Sequence, residues 1–339
     1  MKKLLLILIS LVGMVSCENF DREFSDFKYT SGFFPYQYPV RTLVLGDYIY
    51  DNTNDNAHKF VISVAMGGVY ENKMNRVFNF SVDESLCNNV KFAGTGDQIK
   101  ALPTSYYTLS SPNQITIPAG KFNGGVEVQL TDAFFSDPLS FKNTYVVPLR
   151  LNSSNDVDSI LSGRAIEAEA DPRVETEWFV TPKNFTMFAV KYINEYHGTY
   201  FYYGSSSVKN GSGTVLENTT YSARYVEENP PVKLLTTGRY QVSLTRNLNT
   251  AIDGLKGSVN MLLTFSGNTC TITGAPGSPL TISGTGEFKS KEYEWGDKKR
   301  DGIVLNFTVT DGVNTYSASD VMVARDRAVV MELFTPKVN

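Results

Sequence analysis

The stretch FVISVAM, residues 60–66, decides the fold class because its bulky apolar side chains stand at every second position. Phe60, Ile62, Val64 and Met66 alternate with smaller residues, which is the pattern of a β-strand with one buried face. The same period recurs at Phe78–Val82, Val126–Leu130 and Val147–Leu151, with glycine-rich turn signals between the runs. Residues 28–165 are therefore predicted to form an immunoglobulin-like β-sandwich of about seven strands.

The alternation of apolar and smaller residues stops after residue 165. Residues 166–183 are acidic and lack a strand period, so they are interpreted as a linker between two domains. Residues 184–196 can place Phe185, Phe188 and Tyr192 on one helical face, which predicts a short helix at the start of a second domain, residues 184–339. The alternation then returns and continues to the end of the chain. It predicts either an antiparallel, lipocalin-like β-barrel or a second sandwich, and the whole chain is expected to be all-β.

Composition excludes some classes of function. The 339 residues carry a net charge of -4, so the chain offers no basic surface for nucleic acid. His58 and His197 are the only histidines and lie far apart, and no metal or cofactor motif is present, so neither is expected. Residues 51–56 are rich in oxygen ligands, but their spacing does not match an EF-hand. A polar hairpin loop is the favoured interpretation there, and a calcium site is the alternative.

The first residues, MKKLLLILISLVGMVSC (1–17), predict where the protein acts. Lys2 and Lys3 precede a short apolar core, and the segment ending in Cys17 resembles a bacterial lipoprotein cleavage site. Residues 1–16 are thus predicted to be a signal peptide, Cys17 the lipidated residue, and residues 17–27 a tether to the outer membrane. The alternative is an ordinary secretory signal with a chance cysteine.

Three acidic residues follow Cys17 closely: Glu18, Asp21 and Glu23. Their arrangement is similar, in part, to the acidic export signal of Bacteroidetes lipoproteins, which directs them to the outer face of the outer membrane. A location on the cell exterior is therefore expected, although a solvated tether would also be polar.

Two longer regions resemble one family. The first is ALPTSYYTLSSPNQITIPAGKFNGGVEVQLTDAFFSDPLSFKNTYVVPLRL, residues 101–151, and it resembles the N-terminal domain of Bacteroidetes surface lipoproteins encoded in polysaccharide-utilisation loci. Residues 185–334, with the pieces YINEYHGTYFYYG and RDGIVLNFTV, resemble the C-terminal domain of some of these proteins. Both domains are of unknown function in that family.

The resemblance implies a protein that captures glycans beside a TonB-dependent outer-membrane transporter, in a SusC/SusD-like complex. Its expected partners are an oligosaccharide or polysaccharide, the outer membrane through the lipid anchor, and that transporter. No functional residue can be transferred, because the family's domains have no assigned sites. Some endoglycosidases share the N-terminal domain, but this chain has a second β domain where their catalytic barrel would be.

Sugar recognition needs flat aromatic rings beside hydrogen-bonding groups. The best candidate is the charged, turn-like segment 293–301, which contains Tyr293 and Trp295. The structural alternative is that Trp295 merely covers the end of a barrel. Tyr202 and Tyr203, in the aromatic block 200–203, are further candidates, although alternation predicts that at least one pair of this block is core. Trp178 could line an interdomain groove or hold the two domains together.

Catalysis is not expected. The chain lacks the DxxDxDxE signature of the related endoglycosidases and has no GxSxG motif, although a pair of opposed carboxylates cannot be read from sequence. Asp320, Arg325, Asp326 and Arg327 are interpreted as an ion network at a turn. Glycan binding is therefore the leading hypothesis. The alternatives are a structural or adhesin-like surface protein that binds other proteins, and a glycoside hydrolase with an unrecognised site.

Overall fold

The computed structural model describes residues 26–339. The predicted signal peptide, Cys17 and most of the tether lie outside the described residues. The all-β prediction is confirmed: the described chain has two short α-helices, Thr53–Asn56 and Asp132–Ser136, and is otherwise built of strands and loops with a few 3₁₀ turns. None of the helices within residues 26–339 has the length and apolar character needed to cross a membrane.

The first half of the chain contributes fourteen strands. They are β1 (Ser31–Phe33), β2 (Pro39–Val44), β3 (Lys59–Gly67), β4 (Arg76–Val82), β5 (Val90–Phe92), β6 (Lys100–Ala101), β7 (Tyr107–Leu109), β8 (Gln114–Ile117), β9 (Asn123–Leu130), β10 (Tyr145–Ser153), β11 (Ser159–Ile160), β12 (Arg164–Ala165), β13 (Trp178–Val180) and β14 (Phe185–Ile193).

The second half contributes eleven. They are β15 (Gly198–Asn210), β16 (Val215–Tyr221), β17 (Pro231–Gly238), β18 (Gln241–Leu248), β19 (Gly257–Ser266), β20 (Thr269–Gly274), β21 (Thr281–Trp295), β22 (Lys298–Thr310), β23 (Asn314–Asp326), β24 (Glu332–Leu333) and β25 (Pro336–Val338).

Two sheets form the N-terminal sandwich. One has the order β11-β1-β3-β9-β7, and the other has the order β24-β2-β14-β10-β4-β8, with β6 also paired to β10. The alternating residues of FVISVAM behave as the sequence predicts: Phe60, Ile62 and Val64 are buried in the core between the sheets. A sandwich-like N-terminal region is therefore confirmed.

The prediction of a short helix over residues 184–196 is wrong, because residues 185–193 form strand β14. This strand lies between β2 and β10 in the middle of a sandwich sheet. Both of its faces are covered, so apolar residues occupy nearly every position and the two-residue period disappears. A strand buried on both faces resembles a helical pattern when only periodicity is considered.

Strands β15 and β17–β23 close into an eight-stranded antiparallel barrel, since β15 pairs with β17 on one edge and with β23 on the other. Strand β16 continues the edge of β15 beyond β17. Of the two architectures that the sequence left open, the structure has the barrel.

The strand pairing also places the domain boundary differently from the sequence prediction. Strand β14 belongs to the sandwich, and the barrel begins with β15 at Gly198. After the barrel the chain returns to the sandwich, where β24 pairs with β2 and β25 pairs with β5. Arg327 joins the two parts, donating hydrogen bonds to the carbonyl oxygens of Leu45 and Asn194.

A polar cluster lies inside the barrel. Arg246 and Asp320 are 0% and 1% exposed and form an ion pair with an Nε to Oδ2 distance of 2.8 Å. The Tyr221 hydroxyl donates to the same carboxylate, and the Arg246 guanidinium lies 4.0 Å from the centre of the Tyr202 ring. Asp320 is thus separated from Arg325, Asp326 and Arg327, and the predicted network of these four residues does not form as one unit.

Candidate glycan-binding surface

The segment around Trp295 is the end of a hairpin that projects from the barrel. Strand β22 pairs with β23 only from Gly302 onward, so residues 298–300 pair with β21 alone. A two-residue turn closes the hairpin, with Gly296 and Asp297 at φ of 60° and 56°, which is the turn geometry that suits the twist of antiparallel strands. We call residues 290–301 the hairpin arm.

Irregular pairing bends the hairpin arm. The register between β21 and β22 shifts between Lys289 and Tyr293, where Lys291 has a φ of 55°. Bulges of this kind increase twist and redirect side chains. The bend brings the arm against the outer face of the barrel, where β15 and β23 lie side by side.

Trp295 holds the arm in this position. Its indole N–H donates to the carbonyl oxygen of Ala324 at 3.0 Å, and its ring meets Phe201 edge-on at 5.4 Å. The Arg300 guanidinium covers the indole at 4.3 Å. Phe201 points away from the barrel core yet is only 8% exposed, because the arm lies over it.

Tyr293 and Tyr203 lie beside this contact. The Tyr293 ring rests on Gly302, where a Cβ atom would collide with the ring. Burial raises the pKa of Tyr293, and the neighbouring Tyr203 phenol raises it further. Burial also raises the pKa of Tyr203. Both side chains are half-buried, so part of each ring faces solvent. We call Phe201, Tyr203, Tyr293 and Trp295 the outer aromatic cluster.

The other two aromatic candidates lie elsewhere. Tyr202 points into the barrel, is 7% exposed and packs against Arg246, so it offers no ring face to a ligand. Trp178 lies in the linker, in the small sheet of β12 and β13, and its indole N–H donates to the carbonyl oxygen of Asp171 at 2.8 Å. The structure therefore brings Tyr203, Tyr293 and Trp295 together and separates Tyr202 and Trp178 from them.

A groove beside the outer aromatic cluster was not identified from the sequence. It has a volume of about 420 Å³ and lies over strands β16, β15 and β23. Its exposed lining consists of hydroxyl and amide side chains, including Ser205, Ser207, Asn218 and Ser319, without an ionisable group. Tyr203 and Ser205 are two positions apart on the same face of β15, so the groove begins where the aromatic cluster ends.

A larger cavity, about 570 Å³, lies between the linker, the C-terminal segment and the sandwich. Its aromatic residues pack against one another: Tyr38 meets Phe185 and Phe334 edge-on at 5.9 and 5.5 Å. Arg173 in its wall is committed to Asp171 and to two carbonyl oxygens. The aromatic rings of this cavity and its Arg173 side chain already have partners within the protein. We therefore favour the outer aromatic cluster as the binding site, although the groove beside it is smaller than this cavity.

The oxygen-rich loop 51–56 is held by its own contacts. Asp51 accepts from the amide and hydroxyl of Thr53, and Asp55 pairs with Arg41 and accepts from the Val44 amide. Within residues 26–339 no group of three or more His, Cys, Asp or Glu side chains is placed to hold a metal ion. These contacts favour the polar-loop interpretation.

Each of the two parts of the chain matches the profile of a known domain family. A family profile for an N-terminal domain matches residues 27–158, and the profile of DUF5627, a domain of unknown function, matches residues 195–328. The second match begins after β14, as the barrel does. No curated protein matches the sequence.

One solved structure is similar over its whole length. It is a Bacteroides ovatus protein of unknown function, with 36% sequence identity, a TM-score of 0.86, and coverage of 92% of this chain and 100% of that chain.

More distant similarities include a multidomain Bacteroides ovatus protein with DUF1735, at 13% identity and a TM-score of 0.42, covering 87% of this chain and 94% of that chain. Another Bacteroides ovatus protein, described as a candidate carbohydrate binding protein, has 14% identity and a TM-score of 0.30, covering 88% and 98%. TM-scores this low assign neither fold nor function.

The resemblance to Bacteroidetes proteins with two domains of unknown function is confirmed by the closer match. This protein therefore belongs to the family, shared with the Bacteroides ovatus protein of 36% identity, that joins such an N-terminal domain to DUF5627.

Proposed function

We propose that this protein is a lipid-anchored protein of the outer-membrane surface that binds glycans on the outer face of its barrel and delivers them to a TonB-dependent transporter. The observation that carries the binding proposal is the convergence of Tyr203, Tyr293 and Trp295 beside a groove of uncharged polar side chains. Aromatic rings stack on the apolar faces of sugars, and hydroxyl and amide groups satisfy their hydroxyls.

The three aromatic residues have different roles in this proposal. The Trp295 N–H is used by Ala324, and Arg300 covers its ring, so Trp295 positions the hairpin arm. Tyr203 and Tyr293 are the residues proposed to contact sugar, because each retains solvent-facing ring surface next to the groove. A sugar ring stacked there would place its hydroxyls over Ser205 and Ser319.

The predicted lipid at Cys17 would keep this surface near the transporter. Many anchored copies can contact one long polysaccharide at once, so avidity offsets a modest affinity at each site. Transfer to a SusC/SusD-like complex then requires only that each individual contact be short-lived.

Affinity electrophoresis and calorimetry against a panel of polysaccharides test the binding proposal. Tyr293→Ala and Tyr203→Ala should each weaken binding of whichever glycan is found. Tyr240→Ala is the matched control, since Tyr240 is 54% exposed at the turn between β17 and β18, outside the outer aromatic cluster. Full affinity in both cluster variants would contradict the site assignment.

A second function, binding of another protein, is favoured by exposed apolar side chains in two segments near the junction of the domains. Ile49 is 75% exposed and Met331 is 74% exposed, and Tyr50 and Val330 beside them are similarly open. Exposed apolar side chains that form a contiguous patch are typical of protein interaction sites. Recovery of a defined outer-membrane partner by pull-down, lost in Ile49→Ser and Met331→Ser, would support this function. The hydrolase alternative predicts product release from a polysaccharide, which glycan binding alone does not.

A further inference from the structure

The outer face of the barrel carries two regular rows of uncharged polar side chains. Across strands β22, β23, β15 and β16, the first row consists of directly opposed residues, Asn306, Ser319, Ser205 and Thr220. The second row, one step along each strand, consists of Thr308, Ser317, Ser207 and Asn218. We call these eight residues the hydroxyl strip. The rows run across the strands because the pairing of β22, β23 and β15 has no irregularity in this region.

The spacing of the strip follows from the sheet. Neighbouring strands lie about 4.8 Å apart, so four strands span roughly 14 Å, and the two rows are about 6.8 Å apart along the strands. The first row continues in register through Thr285 on β21 and Thr271 on β20 to Thr264 on β19. A second depression, about 490 Å³, lies over that continuation.

Most of the strip has free hydrogen-bonding capacity. All four side chains of the first row are exposed. Among the described residues, none of these four makes a side-chain hydrogen bond to another protein group, whereas Thr308 in the second row pairs with Ser283. A surface of unused donors and acceptors beside a groove is suited to a ligand that is itself rich in hydroxyls.

The strip contains no charge. Glu287 and Lys289, which line the second depression, pair with each other at 2.6 Å. The side chains that line the groove over β16, β15 and β23 include no cation, so an anionic polymer would gain no ion pair from them to offset the cost of removing its charges from water. Tyr203 lies on the same face of β15 as Ser205, so one sugar ring can stack while its neighbours along the chain bond to the strip.

From this arrangement, and resting on the proposed function, we infer that the ligand of the outer aromatic cluster is a neutral, linear glycan that lies across strands β22, β23, β15 and β16 along the hydroxyl strip. The strip contacts sugar hydroxyls, and Tyr203 and Tyr293 stack on a ring at its margin. The inference extends the site beyond the aromatic residues and specifies the chemical class of the ligand.

The test compares neutral polysaccharides (xylan, β-glucan, mannan and galactan) with anionic ones (polygalacturonate and chondroitin sulfate) by affinity electrophoresis and calorimetry at low and high salt. We expect a neutral polymer to bind with an affinity that salt does not change. Ser319→Arg, which fills the groove at an exposed position, should weaken binding about tenfold, the equivalent of one or two lost hydrogen bonds. The double variant Ser205→Ala and Ser319→Ala should weaken it in the same direction without added bulk.

Ser258→Arg is the matched control, because Ser258 is an exposed serine on β19 outside the strip. Circular dichroism and the melting temperature establish that each variant is folded. Binding of an anionic polymer alone, or full affinity of both strip variants while Tyr293→Ala loses affinity, overturns this inference and leaves the proposed function standing. Absence of binding by every polymer contradicts the proposed function and the inference together.

Discussion

Replacing Trp295 by alanine should release the hairpin arm while the barrel remains folded. The substitution removes the hydrogen bond to Ala324, the edge contact with Phe201 and the contact with Arg300. Contacts of these three kinds contribute together about 2 to 3 kcal/mol at a half-buried site. Because residues 298–300 pair only with β21, the loss falls on the arm and not on the closed barrel.

Amide hydrogen exchange measures this effect directly. In Trp295→Ala, exchange in residues 290–301 should become about 30- to 150-fold faster, the equivalent of about 2 to 3 kcal/mol in local stability. Exchange in β18 and β19, which do not contact the arm, should remain unchanged. Trp295→Phe is the control that retains ring packing but lacks the N–H donor, and it should show about a tenth of the increase. Unchanged exchange in the arm of Trp295→Ala would refute the role assigned to this residue.

Three further predictions concern the rest of the molecule. Arg246→Met removes the ion-pair partner of the buried Asp320 carboxylate and should reduce the free energy of unfolding, measured by denaturant titration, by about 3 to 5 kcal/mol. The double variant Arg246→Met with Asp320→Leu should recover much of this loss. If the losses of the two single variants simply add in the double variant, the coupling between Arg246 and Asp320 is contradicted. Burial, together with the nearby charges of Arg327 and Lys191, lowers the pKa of His197 to about 4. The Nδ1 atom of His197 accepts a hydrogen bond from the Thr236 amide. His197 therefore binds a proton more readily in the unfolded chain than in the folded protein. The stability contributed by neutral His197 is therefore complete above pH 6.5 and is lost as the pH falls toward 4, by about 2 to 3 kcal/mol, and the melting temperature of His197→Asn should show a weaker dependence in that range. Cys17→Ala should abolish acylation in mass spectrometry and release the protein from the membrane fraction, and retention of the variant in that fraction would contradict the predicted anchor.

Much of the fold could be predicted because most strands bury one face. Residues 60–66 show this clearly, and the same alternation in β18 and β19 indicates the wall of the barrel. Strand β14 was misinterpreted because both of its faces are buried, which removes the alternating signal. Its place between β2 and β10 depends on partners about 40 and 150 residues away along the chain, and no local pattern encodes such a pairing.

The candidate site could be predicted only in part. Trp295 and Tyr293 were found because aromatic residues in a charged turn are unusual, and Tyr203 because it lies in an aromatic block. The difference between Tyr202 and Tyr203 follows from strand alternation, which indicates that the two face opposite ways but not which of them faces the core. The hydroxyl strip could not be predicted, because Ser205, Ser319 and Asn306 become neighbours only through the register of three strands.

The most direct test of the glycan-binding surface is the footprint of a bound oligosaccharide, measured by NMR chemical-shift changes on the folded protein. Shifts are expected to concentrate on β15, β21, β22 and β23, at Tyr203, Tyr293, Ser205 and Ser319, and to be absent from the linker. Shifts confined to the cavity around Tyr38 and Arg173, with the outer face of the barrel unaffected, would contradict the site assignment.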